Sequence, residues 1–159
     1  MNRLQRLALT QPDITLASVY DLQEPECTFF EKELYYLLQE RTPYESISHK
    51  KMPTYEDHVK FVRSKPYKAW YALQNTVGQV VGAIYLSNDN CIGIGIFENC
   101  RRNNYATMAI KILMEVHKEE VYYANINPNN QKSIDLFTSL GFVFERDEGT
   151  QIVLSFRSN

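Results

Sequence analysis

Ile94-Gly95-Ile96-Phe97-Glu98-Asn99-Cys100-Arg101-Arg102-Asn103-Asn104-Tyr105-Ala106-Thr107 carries an apolar, strand-like run through a short polar loop into small residues that open the helical pattern Met108 to His117. The first turn of a helix leaves N–H groups without intrahelical partners and bears the positive end of the helix dipole, so it favours phosphate oxygens. Arg101 and Arg102 add positive charge at the same place. The loop reads as a pyrophosphate cradle. An ordinary strand-to-helix loop with two solvated arginines is the competing reading.

Two familiar phosphate loops fail against it. No G-x-x-x-x-G-K-S/T string occurs in the chain. A G-x-G-x-x-G fingerprint begins at Gly93-Ile94-Gly95 but meets Glu98 where its third glycine belongs, and an acid there repels a pyrophosphate. Further along, Asn127-Pro128-Asn129-Asn130-Gln131-Lys132-Ser133-Ile134-Asp135-Leu136-Phe137-Thr138-Ser139-Leu140-Gly141-Phe142 reads as a second helix. Asn130 suits its N-cap, Ile134, Phe137 and Leu140 recur at helical spacing, and Gly141 stands where a left-handed C-terminal residue is wanted.

Together the two segments resemble the GNAT N-acetyltransferase superfamily. Arg101 to Ala106 is similar to its motif A, Q/R-x-x-G-x-G/A after a strand, with Asn104 in place of a glycine; asparagine tolerates left-handed backbone better than most residues. Asn130 to Phe142 is similar to its motif B, N-x-x-A/S-x-x-L/F-Y/F-x-x-x-G-F. The resemblance implies an α/β fold with an α+β mixed sheet and the order β-α-α-β-β-β-α-β-α-β-β. It also implies acetyl-CoA as co-substrate, without a metal. On that view Ile96 and Phe97 pair with the pantetheine arm, while Arg101, Arg102, Asn103, Asn104, Tyr105, Ala106 and Thr107 take the pyrophosphate. Asn130, Ser133 and Phe137 of motif B complete the cofactor set.

The rest of the chain fits that order. Strands are expected at Ile14 to Val19, Ala69 to Gln74, Val80 to Ser87, Cys91 to Phe97, Val121 to Asn127, Val143 to Arg146 and Gln151 to Phe156. Helices are expected at Pro25 to Arg41, with Phe30, Leu34, Leu37 and Leu38 on one face, and from Thr54 to about Ser64, with Tyr55, Val59 and Val62 buried. In the strand before the cradle, Ile92, Ile94 and Ile96 share one face and Gly93 and Gly95 the other. Glycine within a strand marks close approach, either of a ligand or of a packed helix.

At 159 residues, 44% hydrophobic, with 17 basic and 19 acidic side chains, the chain is expected to form one domain spanning 1–159. No apolar run of about 18 residues is present, which weighs against a membrane span. Arg3 and Arg6 are followed by no signal-peptide pattern, and Cys27, Cys91 and Cys100 lack paired spacing, so a cytoplasmic protein with reduced thiols is expected. A net charge of -2 weighs against nucleic acid as partner, although Lys50-Lys51 and Lys60 to Arg63 form a local basic patch.

Catalysis is harder to assign. Many GNAT enzymes use a motif B tyrosine to protonate the departing thiolate, and Phe137 has no such proton. Tyr105 and Tyr123 are substitutes by type only. Asn90 and Asn125 fall where the family often places a basic glutamate. The candidates for the base are therefore Asp89, Glu98 and His49, each with an exposed-side-chain reading beside it. The reading is an N-acetyltransferase acting by direct transfer on a primary amine of a small molecule or amino sugar, with a homodimer admitted. The alternative is an acyl-CoA-binding module that has lost catalysis.

Overall fold

The computed structural model describes residues 10, 11, 13–41 and 51–159. Its strands are β1 (Thr10–Gln11), β2 (Ile14–Ser18), β3 (Ala69–Gln74), β4 (Val80–Leu86), β5 (Ile92–Ile96), β6 (Val121–Ile126), β7 (Val143–Asp147) and β8 (Ile152–Arg157). The helices are α1 (Glu26–Glu40), α2 (Tyr55–Arg63), α3 (Tyr105–Val116) and α4 (Gln131–Ser139), with a short 3-10 turn at Glu98–Cys100. The expected order holds, with β1 added in front of it. Two residues are too few to carry a periodic signal, and β1 exists through its antiparallel pairing with β2.

The strands form two sheets, one of five strands in the order β1-β2-β3-β4-β5 and one of three in the order β6-β8-β7, each antiparallel throughout. They meet at one parallel bridge, Cys91 with Tyr123, where the Tyr123 N–H donates to the Asn90 carbonyl at 2.9 Å. The expected mixed sheet is thus two sheets that touch at one end and diverge. β3 and β4 lie mid-sheet and are buried along nearly their whole length, as their unbroken apolar runs require. Ala83, Tyr85, Gly93 and Gly95 alternate onto the face where Leu34 and Leu37 of α1 lie. α3 packs against β2, β4 and β5 and buries Ala109, Ile110, Ile112 and Leu113. Among the described residues no helix is long and apolar enough to cross a membrane.

Local chemistry fixes the helix ends. Thr54 caps α2 by accepting the Asp57 N–H at 3.1 Å. Glu31 of α1, buried, is held by Arg63 of α2 through two bonds of 2.8 and 3.1 Å, which ties the two helices together. α4 ends in a Schellman motif: Gly141 has φ +97, its N–H reaches the Thr138 carbonyl, and the Phe142 N–H reaches that of Phe137. The Phe137 and Phe142 rings close the motif edge to face, with centroids 5.0 Å apart. An alanine at Gly141 would adopt an unfavourable left-handed backbone and bring its Cβ to 3.2 Å from the Phe156 ring. Gly141→Ala is expected to lower stability by about 1–2 kcal/mol in a urea titration.

His117 follows the last turn of α3, where the helix dipole favours a charged imidazole. Instead it is half-buried with Nε2 2.6 Å from the Tyr71 hydroxyl, and burial pushes its pKa down, against the pull of Glu119 and with that of Lys68. A histidine held neutral by the fold supports stability above its unfolded pKa of about 6.5 and loses that support as pH falls through its lower folded value. The wild type should therefore lose more stability than His117→Gln between pH 7.5 and pH 5.5. Equal losses in the two melts would contradict this.

Candidate active site

The divergence of β5 from β6 opens a cavity of about 370 Å³. Two hydrogen bonds set which backbone groups face it. Ser87 N–H to Cys91 O at 2.8 Å and Phe97 N–H to Val81 O at 2.9 Å put the odd-numbered residues of β5 in the ladder with β4. In an antiparallel pair the alternate residues point the other way, so the N–H and C=O groups of Ile92, Ile94 and Ile96 face the divergence. The Phe97 carbonyl accepts the Cys100 N–H at 2.9 Å, and its side chain is buried. Phe97 does not line the cavity, which departs from the expectation set by the resemblance; Ile96 does, with Ile92 and Ile94.

Arg101 to Thr107 form the wall at the far end. Asn104 adopts φ 61, ψ 17, the left-handed conformation that its amide side chain tolerates, and Arg102 is also left-handed at φ 71. These turns aim the start of α3 inward. The first intrahelical bond is Met108 N–H to Asn104 O, so the N–H groups of Tyr105, Ala106 and Thr107 lie before the ladder begins. Arg101, Arg102 and Lys132 bring positive charge to the rim, with the Glu40 carboxylate as its acidic neighbour. Opposite them stand Asn130, Ser133 and Phe137. The Asn130 side chain accepts the Ser133 N–H at 3.3 Å, as a cap should.

The candidate bases fall elsewhere. Asp89 lies exposed in the β4–β5 turn, and Glu98 lies exposed in the 3-10 turn, where its backbone N–H donates to Glu40 Oε1 at 2.9 Å. Neither lines the cavity, and His49 lies outside the described residues. Asn90 accepts from Lys68 Nζ at 2.6 Å, and Asn125 donates to Cys91 Sγ at 3.3 Å inside the cavity. Burial pushes the Cys91 and Cys100 thiols up, so both rest as thiols rather than thiolates at neutral pH. Among the described residues no group of three His, Cys, Asp or Glu is placed to hold a metal ion.

A second cavity, of about 260 Å³, lies on the other side of the β5 backbone. Leu34, Leu38, Phe61, Tyr67 and Trp70 give it an apolar and aromatic wall, and Asp57 and His58 are its acid and its imidazole. The His58 Nε2 lies 3.2 Å from the Glu31 carbonyl. The two cavities share Leu37, Arg41, Tyr85, Gly93, Ile94 and Gly95. None of this wall is visible in a motif, because it is assembled from α1, α2 and three strands. A pairing of glycine with a cross-strand aromatic was the one available signal: Tyr85 faces Gly93 in the register.

Comparison with known proteins follows the same lines. The family model described as "Acetyltransferase (GNAT) family" matches residues 17–142. A search of curated proteins by sequence finds no match. Among solved structures, the microcin C7 self-immunity acetyltransferase MccE, in complex with acetyl-CoA and AMP, has TM-score 0.70 at 16% identity, covering 96% of this chain and 99% of that one. FdhC, a nucleotide-linked sugar GNAT, has TM-score 0.70 at 12% identity, covering 94% and 89%. Spermidine N-acetyltransferase from Vibrio cholerae, in complex with CoA and spermine, has TM-score 0.63 at 15% identity, covering 89% and 92%. At such identities the structures speak for the fold alone, and the family model carries the assignment. With its diverging sheets and its helix N-terminus at the mouth between them, this chain belongs to the GNAT acetyltransferase family.

Proposed function

We propose that the chain transfers an acetyl group from acetyl-CoA to a primary amine of a small molecule or amino sugar, directly and within a ternary complex. The observation that carries this reading is the divergence of β5 from β6 with the N-terminus of α3 at its mouth. The N–H groups of Tyr105, Ala106 and Thr107, with Arg101, Arg102 and Lys132, suit a pyrophosphate. The Ile94 backbone groups and the Ile96 N–H suit the amides of a pantetheine arm, the Ile96 carbonyl accepting from Arg101 Nε at 3.4 Å; the arm would run toward the residues that the two cavities share. The amine would then enter from the aromatic cavity. Direct transfer is favoured over a covalent enzyme intermediate because the Cys91 and Cys100 thiols are held protonated. MccE in complex with AMP, the nucleotide-linked sugar GNAT FdhC and the spermidine enzyme support a small-molecule acceptor. RimL, a ribosomal L7/L12 alpha-N-protein acetyltransferase of TM-score 0.69 and 11% identity, shows that the fold also serves a protein amine.

Phe137 favours a second reading. It stands at the motif B tyrosine position, is buried against Phe142, and offers no hydroxyl, as suits a binding module without turnover. Release of free thiol from acetyl-CoA across a panel of primary amines separates the two: an enzyme releases it with at least one amine, a module with none.

Binding itself is testable first. At about 100 times its dissociation constant, CoA should raise unfolding stability by about 2.7 kcal/mol, and no shift with CoA or acetyl-CoA would overturn the assignment. The double variant Arg101→Ala, Arg102→Ala should weaken CoA binding about tenfold or more and flatten its dependence on salt, read by titration calorimetry.

A further inference from the structure

We propose that Tyr85 supplies the proton that Phe137 cannot, its hydroxyl donating to the sulfur of the acetyl donor as the carbon–sulfur bond breaks. This rests on the acetyl-CoA reading above and adds a residue to it. Tyr85 is the tyrosine common to both cavities, at the place where a donor running along β5 would meet an acceptor from the aromatic side. Tyr105 lines the first cavity at the α3 terminus, the pyrophosphate end, and Tyr67 lines the second. Tyr123 lines neither.

The ring is held where the role needs it. It stacks on Tyr67 with centroids 3.8 Å apart and planes 4° apart, and meets Trp70 edge-on at 6.4 Å. It also fills the space of a missing side chain. A Cβ on Gly93 would lie 2.1 Å from Tyr85 Cζ and 2.5 Å from its hydroxyl oxygen. Gly93 therefore admits the phenol onto the β5 backbone, and any larger residue there would displace it.

The chemistry balances. The amine nitrogen bonds to the thioester carbon, the carbon–sulfur bond breaks, and sulfur takes the Tyr85 proton. The surplus proton on the new amide nitrogen returns to the phenolate, directly or through solvent. Burial pushes the Tyr85 phenol up, so it carries its proton at neutral pH. The groups around it temper that effect. The Arg41 charge and the neighbouring Tyr67 hydroxyl ease formation of a phenolate, while Cys91 opposes it.

Tyr85→Phe keeps the ring and its packing, so it tests the hydroxyl alone. Dissociation constants for CoA and desulfo-CoA are measured by calorimetry at pH 7 and pH 9 in both proteins. The wild type should prefer CoA by about tenfold at pH 9, where the thiolate accepts the Tyr85 hydrogen bond, and the variant should show no preference. With an amine that turns over, kcat should fall about a hundredfold while KM for acetyl-CoA changes less than about twofold. Equal preferences in the two proteins would overturn the proposal. Failure of the wild type to bind either ligand would overturn the acetyl-CoA reading beneath it, and with it this one.

Discussion

Every feature of the site depends on one constraint: a strand edge must be hydrogen-bonded to something, and among the described residues β5 has a strand neighbour on that side only at Cys91. From there β6 turns away, and the backbone of Ile92, Ile94 and Ile96 is presented to the cavity rather than to a ladder. An unpaired strand edge invites unwanted pairing unless it is covered or used. Here the start of α3, which follows β5, and the start of α4, which follows β6, border the open end of the gap, so Arg101 to Thr107 and Asn130 to Phe137 both line the cavity beside the exposed edge.

The residues around this edge are chosen for backbone behaviour as much as for side-chain chemistry. Asn104 and Arg102 accept left-handed conformations so that α3 can begin while pointing inward. Gly82 lacks a side chain because the Gly95 carbonyl would lie 2.2 Å from its Cβ, and Gly93 lacks one because Tyr85 occupies the space. Gly95 is less constrained, with Leu37 of α1 at 3.4 Å from an added Cβ. Close packing explains these glycines in the folded chain, and ligand approach from the β6 side uses the opposite, backbone edge. The two readings of the glycine strand are thus compatible.

What could be read from the sequence was local. The Asn130 cap, the Gly141 terminus, the Thr54 cap and the left-handed Asn104 are each set by neighbours within a few residues, and each appears as a residue type at a fixed offset. Element order follows from periodicity over windows of similar length. Parity within β5 is not legible in the sequence, because it depends on the register with β4 and so on Val81 and Ser87, which pair with Phe97 and Cys91. The aromatic cavity was hidden for the same reason. Leu34, Phe61, Trp70 and Tyr85 come together only when α1, α2, β3 and β4 have packed. His117 illustrates the limit in electrostatics, since its helix position was visible and its burial against Tyr71 was not.

The single bridge between the sheets has a mechanical consequence. A five-stranded and a three-stranded sheet that meet at one backbone bridge, Cys91 with Tyr123, are held together by side chains instead: Leu86 and Ile92 of one share a buried core with Tyr122, Ala124 and Ile126 of the other. The width of the gap is therefore set by core packing and by whatever fills it rather than by a ladder. A ligand that bonds to β5 on one side and packs on α4 on the other would act as a strut, setting the angle between the halves. Donor occupancy would then govern the width of the cavity next to Tyr85, where the acceptor must fit.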